Sequence, residues 1–180
     1  MLRTSCKHGT GRDLLIAYKE YFHILEHGKR VRHLDPTFKP EWPEWSYCTG
    51  FERLLNCGKG NYVFFHTTPQ TEGKHRYITA YFVIEDLGRG KDIVQKYNLQ
   101  GGARHATDIE EHYVIVGDKT RSRKLKGLGL RFDRQLAEKL TFDPSKKVKF
   151  GIIDKTGRHL SENQCITSAT RNIRILSDID

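Results

Sequence analysis

The sequence is poor in the patterns that announce a metal centre or a membrane anchor. Its four cysteines, Cys6, Cys48, Cys57 and Cys165, stand at long and irregular intervals. There is no Cys-x-x-Cys pair and no matched histidine pair to complete a tetrahedral zinc site, so no metal or other cofactor is expected and the thiols are expected to be free. No apolar run approaches the ~18 residues that cross a bilayer. The opening residues Met1 to Ser5 lead into polar Lys7-His8-Gly9 rather than into the apolar core of a signal peptide. These features predict a cytoplasmic protein with no membrane partner. Internal repeats, low-complexity tracts and Ser/Gly linkers are also missing, which predicts one domain over residues 1–180. With 37% hydrophobic and 11% aromatic residues the chain has the composition of a folded domain rather than a disordered one.

Carboxylates are scarce relative to cations. The 31 Lys and Arg residues exceed the 22 Asp and Glu residues to give a formal charge of +9. The excess is uneven: +3 over residues 1–60, zero over 61–110, +7 over 111–160 and −1 over the remainder. A positive field gathered into one stretch is the electrostatic footprint of a surface that meets phosphates, although a membrane face or simple solubility produces a similar pattern.

Periodicity predicts an α+β fold. From Asp13 the positions Leu14, Leu15, Tyr18, Tyr21, Phe22 and Leu25 follow helical spacing, with Asp13 as N-cap and Gly28 as the stop; a strand is the alternative there. Residues 33–50 hold Pro36, Pro40 and Pro43 and read as an aromatic-rich loop. Phe51 to Cys57 reads as a short helix. Tyr62-Val63-Phe64-Phe65 and Tyr77 to Ile84 read as an antiparallel hairpin. Asp92 to Tyr97 is expected to be helical and His112 to Val116 a strand. Gly127 to Phe132 is expected to be a strand bent at its glycines, Asp133 to Leu140 a helix, and Val148 to Ile153 another strand. Ser161-Glu162-Asn163-Gln164 has the form of a capping box that opens a last helix. Short strands with helices between them predict a small twisted β-barrel of about five or six strands with helices packed outside.

Three groups of residues carry candidate chemistry. In the segment 119–126, Lys119, Arg121, Arg123, Lys124 and Lys126 are cationic and the intervening Thr120 and Ser122 are donors to phosphate oxygens. Lys146, Lys147 and Lys149 extend the cationic set. The competing reading is a solvated loop. A second group is aromatic: Phe38, Trp42, Trp45 and Tyr47, with Phe65 and the adjoining His66, form a candidate pocket for an unpaired or flipped base, against the rival reading of core packing. The third is the pair His66-Thr67-Thr68 and His105-Ala106-Thr107. Across a cleft, two such elements would act as general acid and base on a cyclic phosphate, which defines the alternative function of a small phosphodiesterase or RNA-processing enzyme. Gly9 to Asp13 reads as a turn, and the acidic pairs Glu85-Asp86 and Glu110-Glu111 as surface residues.

The run from His33-Leu34-Asp35-Pro36 through Trp45 to Gly50, Gly60 to Phe65 and Tyr77 to Ile84 resembles the nucleotide-modification-associated domains, which are grouped with PUA-like folds such as the EVE, YTH and ASCH domains. Gly127 to Phe132 and Leu140-Thr141-Phe142 are similar to the closing half of the same family. Asn61 stands where these folds often carry an acidic residue. The resemblance implies a PUA-like barrel with an aromatic pocket for a modified base. It also implies a likeness to the N-terminal DNA-targeting modules of McrB-type restriction GTPases, hence a binding module rather than an enzyme acting alone, with a fused or associated nuclease or GTPase. Nucleic acid is the expected partner, DNA favoured over RNA.

Overall fold

The computed structural model describes residues 11–18, 22–26, 29–33, 36, 38, 45–69, 73–97, 99, 109–143 and 145–177. They form a mixed α+β structure. Its strands are β1 (Leu14–Ala17), β2 (Phe22–Glu26), β3 (Lys29–His33), β4 (Trp45–Thr49), β5 (Tyr62–Thr67), β6 (Tyr77–Arg89), β7 (Tyr113–Gly117), β8 (Arg123–Lys124), β9 (Leu130–Arg131) and β10 (Arg174–Ile175). The helices are α1 (Gly90–Tyr97), α2 (Arg134–Lys139) and α3 (Glu162–Thr170), with a 3-10 turn at Glu52–Asn56. Eight strands make one sheet along the path β10-β1-β5-β6-β7-β4, with β8 and β9 also paired to β6; β2 and β3 form a separate hairpin. β4 and β10 stand at the two ends of that path and do not pair with each other, so the described sheet is open rather than closed into a barrel.

The thirteen-residue β6 organises the sheet. Its first half pairs antiparallel with β5 and its second half with β7. Each pairing contains one irregularity: Phe65 faces Ala80 while His66 faces Ile78, leaving Thr79 extra, and Ile84 faces Gly117 while Asp86 faces Val116, leaving Glu85 extra. An inserted residue bends a strand and strengthens its twist. The inner face gathers Leu14, Ile16, Trp45, Val63, Phe65, Ala80, Phe82, Ile84, Tyr113 and Ile115 into one core cluster drawn from five strands. On the outer face Leu15 and Ile78 pack with Phe132, Ala137, Cys165 and Ile166 from α2, α3 and their approach. At the other end Cys48, Val114 and Val116 pack beneath Ile93 of α1.

Locally signalled elements lie where the sequence places them. Asp133 caps α2 by accepting from the Leu136 amide, and Ser161 and Gln164 complete the capping box of α3. The helix expected from Asp13 is not present. Leu14–Ala17 instead pairs parallel with β5 and antiparallel with β10, and Phe22–Glu26 pairs antiparallel with Lys29–His33. Asp13 accepts from the Tyr62 amide at 2.8 Å rather than capping a helix. Strand partners remote in sequence outweigh a weak helical period. The expected loop contains β4, which is held by its ladder to β7. Residues 148–153 form no strand; Val148 is buried, and Ile153 makes an isolated bridge to His159. Cys48, Cys57 and Cys165 are buried, and Cys6 lies outside the described residues.

Asp86, read from sequence as a surface residue, is a buried tie. Its carboxylate accepts from Lys59 at 2.8 Å, Lys96 at 2.5 Å, the Tyr97 hydroxyl at 3.1 Å and the Leu87 amide at 3.0 Å. Burial pushes its pKa up, but hydrogen bonds from Lys59, Lys96, Leu87 and Tyr97 outweigh that and hold it well below the usual carboxylate range. A depressed folded pKa adds stability that is present above the unfolded value, about 3.9, and is lost as pH falls through the folded one. Asp86→Asn is therefore expected to lower the unfolding free energy by about 1–3 kcal/mol at neutral pH. In urea unfolding across a pH series, the gap to wild type should close in strong acid; a gap independent of pH would contradict the ionic tie.

Candidate nucleic-acid interface

The cationic segment is built as a turn followed by a short strand. The Asp118 carboxylate accepts from the Thr120 amide at 2.8 Å, the Thr120 hydroxyl at 2.7 Å and the Arg121 amide at 3.2 Å. The Ser122 amide donates to the Asp118 carbonyl at 2.8 Å, closing the turn. Those hydrogen bonds hold the Asp118 carboxyl below its usual range, the Thr120 hydroxyl contributing most. Ser122 is fully buried and its hydroxyl accepts from the Val83 amide, which anchors the turn to β6. β8 then lies along β6 with Arg123 opposite Tyr81 and Lys124 opposite Ala80. Alternation sends Arg123 to the outer face and Lys124 to the inner side of the sheet margin.

Lys119, Arg121, Arg123, Lys124 and Lys126 are all exposed. Arg121 has one long ion pair with Asp118 at 3.9 Å; among the described residues the other four have no carboxylate partner. These five cations thus share one short stretch of surface. Lys146 and Lys147 are exposed as well and stand on a separate segment. Lys146 pairs with Phe142, which pairs in turn with Leu176 just beyond β10, and the nearby Val148 belongs to the same core cluster against which Leu125 packs.

The candidate aromatic pocket resolves into two faces. Trp45, Tyr47 and Phe65 come together on the inner face with Phe38 and Phe82, edge to face: Tyr47 and Phe65 at 5.5 Å, Trp45 and Phe82 at 5.8 Å, Phe38 and Phe65 at 5.5 Å. Trp45 and Phe65 are buried and Tyr47 is half-buried, so these rings spend their area on one another. Trp42 lies outside the described residues. His66 follows Phe65 on the strand and projects to the opposite face, where it meets the Phe132 ring edge to face at 5.1 Å.

His66 is fully buried and bonded to Arg76, whose guanidinium donates to its Nδ1 at 3.0 Å. A guanidinium only donates, so Nδ1 is the acceptor and the imidazole proton sits on Nε2. That atom is buried with no hydrogen-bond partner among the described residues. Arg76 is itself buried and also donates to Asn163 at 3.3 Å and Thr167 at 2.9 Å of α3. Burial, aided by the Arg76 charge, pushes the His66 pKa well below the ordinary value. The basic nitrogen of this neutral imidazole is occupied and its Nε2–H is buried, so it offers no base at the surface to a phosphate, and His105 and Thr107 of the companion motif lie outside the described residues.

Sequence reasoning missed the outer-face rings Tyr62, Phe64 and Tyr81, because the two runs that hold them read as continuously apolar. The signal was the strand alternation that sets Tyr62 and Phe64 on one face and Val63 and Phe65 on the other. All three missed rings are half-buried, and Tyr62 and Phe64 stack at 5.9 Å with planes 12° apart.

Because the folded His66 resists protonation, stability is full above the unfolded histidine pKa near 6.5 and falls as pH drops below it, by up to about 1.4 kcal/mol per pH unit from this one group. Urea midpoints across that window should fall less steeply in His66→Gln than in wild type; identical slopes would contradict a buried neutral imidazole. Comparison of the chain with protein-family models, curated proteins and solved structures finds no match.

Proposed function

We propose that the chain is a nucleic-acid-binding domain that grips the phosphate backbone through the exposed segment 119–126. One observation carries this reading: five exposed cations lie within 119–126 at the sheet margin, and only Arg121 has an ion pair with a carboxylate among the described residues. A solvated structural loop has no need of such a set, whereas phosphates supply the missing anions and release their counterions on contact. The turn is preorganised by Asp118 and Ser122, so little ordering is lost on binding.

The PUA-like resemblance belongs to the same reading. Residues of five strands converge on one inner core, as they do in a small barrel, and β4 and β10 are the margins at which this sheet stays open. Within it the domain recognises and does not cut. A role in modification-dependent restriction would place cleavage on a fused or associated nuclease or GTPase, with DNA the favoured ligand. The inner rings of Trp45, Tyr47 and Phe65 serve in this reading as the packed support beneath the binding surface.

Changing Arg121, Arg123 and Lys124 together to Ala is expected to weaken binding of all sequences alike by about tenfold or more. It should also reduce the slope of log affinity against log salt by about one unit for each phosphate no longer neutralised. Fluorescence anisotropy over a salt series reads both quantities, and circular dichroism checks the fold. Unchanged affinity and slope would remove this surface from the function.

A further inference from the structure

Helices cover the outer face of the sheet in two places, and among the described residues no helix covers the stretch between them. Helices α2 and α3 cover Leu15 and Ile78, and α1 covers Val114 and Val116. Between these covers lie Tyr62 and Phe64 of β5 and Tyr81 of β6. Tyr81 stands directly opposite Phe64 in the ladder, with ring centroids 6.3 Å apart, and 5.8 Å from Tyr62. Phe64 leans on the α2–α3 cluster, while Tyr62 and Tyr81 belong to none of the three core clusters. The next strand outward, β8, sets exposed Arg123 opposite Tyr81 on the same face. Its guanidinium donates to the Ser122 carbonyl at 2.7 Å, which uses one of its five donors, and it makes no ion pair among the described residues.

We infer that Tyr62, Phe64 and Tyr81 form a stacking platform for unpaired bases, so that the ligand is single-stranded nucleic acid whose phosphates run along Arg123 and its neighbours. This rests on the phosphate-binding reading above and specifies which form of nucleic acid it serves. Charge and ring geometry together select the occupant. An acidic peptide would satisfy Arg123 but offers no flat faces, and a duplex offers phosphates but keeps its base faces inside its own stack. Every base has such a face, so the platform takes DNA and RNA strands alike and tolerates sequence.

Four ligands test this by anisotropy at one fixed salt concentration: a short mixed-sequence DNA strand, the RNA of the same sequence, the DNA duplex, and the DNA strand carrying 2-aminopurine at a central position. The full chain is expected to bind either single strand about tenfold or more tighter than the duplex, and to quench the 2-aminopurine. Tyr62→Leu with Tyr81→Leu should weaken single-strand binding by about tenfold to a hundredfold and abolish the quench, leaving duplex affinity and its salt slope unchanged. Tyr62→Phe with Tyr81→Phe keeps the rings and should bind as wild type does. Equal affinity for strand and duplex without quenching in the wild-type protein, which needs no variant to fold, would overturn the platform and leave the phosphate reading standing. Indifference to all four ligands at low salt would overturn both.

Discussion

The structure depends on the path of β6. One strand of thirteen residues serves as ladder partner to β5, β7, β8 and β9, and it does so by inserting Thr79 and Glu85 as extra residues at two points. Each insertion exchanges the faces of the residues that follow. Ile78 looks outward to α2 and α3, whereas Ala80, Phe82 and Ile84 look inward to the aromatic core, and Asp86 looks outward again, to Lys59 and Lys96. Without those two residues the inner and outer sets would not segregate along a single strand, since a slip of one position moves every side chain to the other face.

That partition decides what each aromatic is free to do. Phe65, Phe82 and Trp45 are committed to a core in which Phe65 and Phe82 lie 4.6 Å apart. Tyr62, Phe64 and Tyr81 come from the same two strands but the other face, and they keep part of their surface open. The glycine-broken edge made by β8 and β9 brings cations to that open side. Gly129 allows it: with φ of +91° and the Ile78 carbonyl oxygen 2.2 Å from where a Cβ would stand, the chain turns close against β6 in a way no other residue permits. Packing of the inner face and chemistry on the outer face are two consequences of one strand's geometry.

Much of the fold is legible where the signal is local. The β5–β6 hairpin, the caps at Asp133 and Ser161 and the short helix before Tyr97 each rest on residues within a few positions of one another. What the sequence conceals is set by remote partners. Leu14–Ala17 becomes a strand because Val63 to His66 lies beside it, and Trp45–Thr49 because Tyr113–Gly117 does; neither partner can be read from a local window. The site divides in the same way. The cations of 119–126 are contiguous, so their grouping survives folding, whereas Lys146 and Lys147 come from a separate segment. Phe65 and His66 are neighbours on one strand whose side chains lie on opposite faces of the sheet. The charge pair at Glu85-Asp86 reads as superficial because its lysine partners come from before β5 and from within α1.

The central claim is that nucleic acid meets the outer face and the β8 margin while the inner aromatic core remains closed. Chemical-shift mapping of the labelled protein during titration with a single-stranded oligonucleotide tests it residue by residue. Perturbation is expected at the amides of 119–126 together with the rings of Tyr62 and Tyr81, with the Trp45 indole and the Phe65 ring undisturbed. Shifts concentrated at Trp45 and Phe65 with a silent 119–126 segment would contradict it.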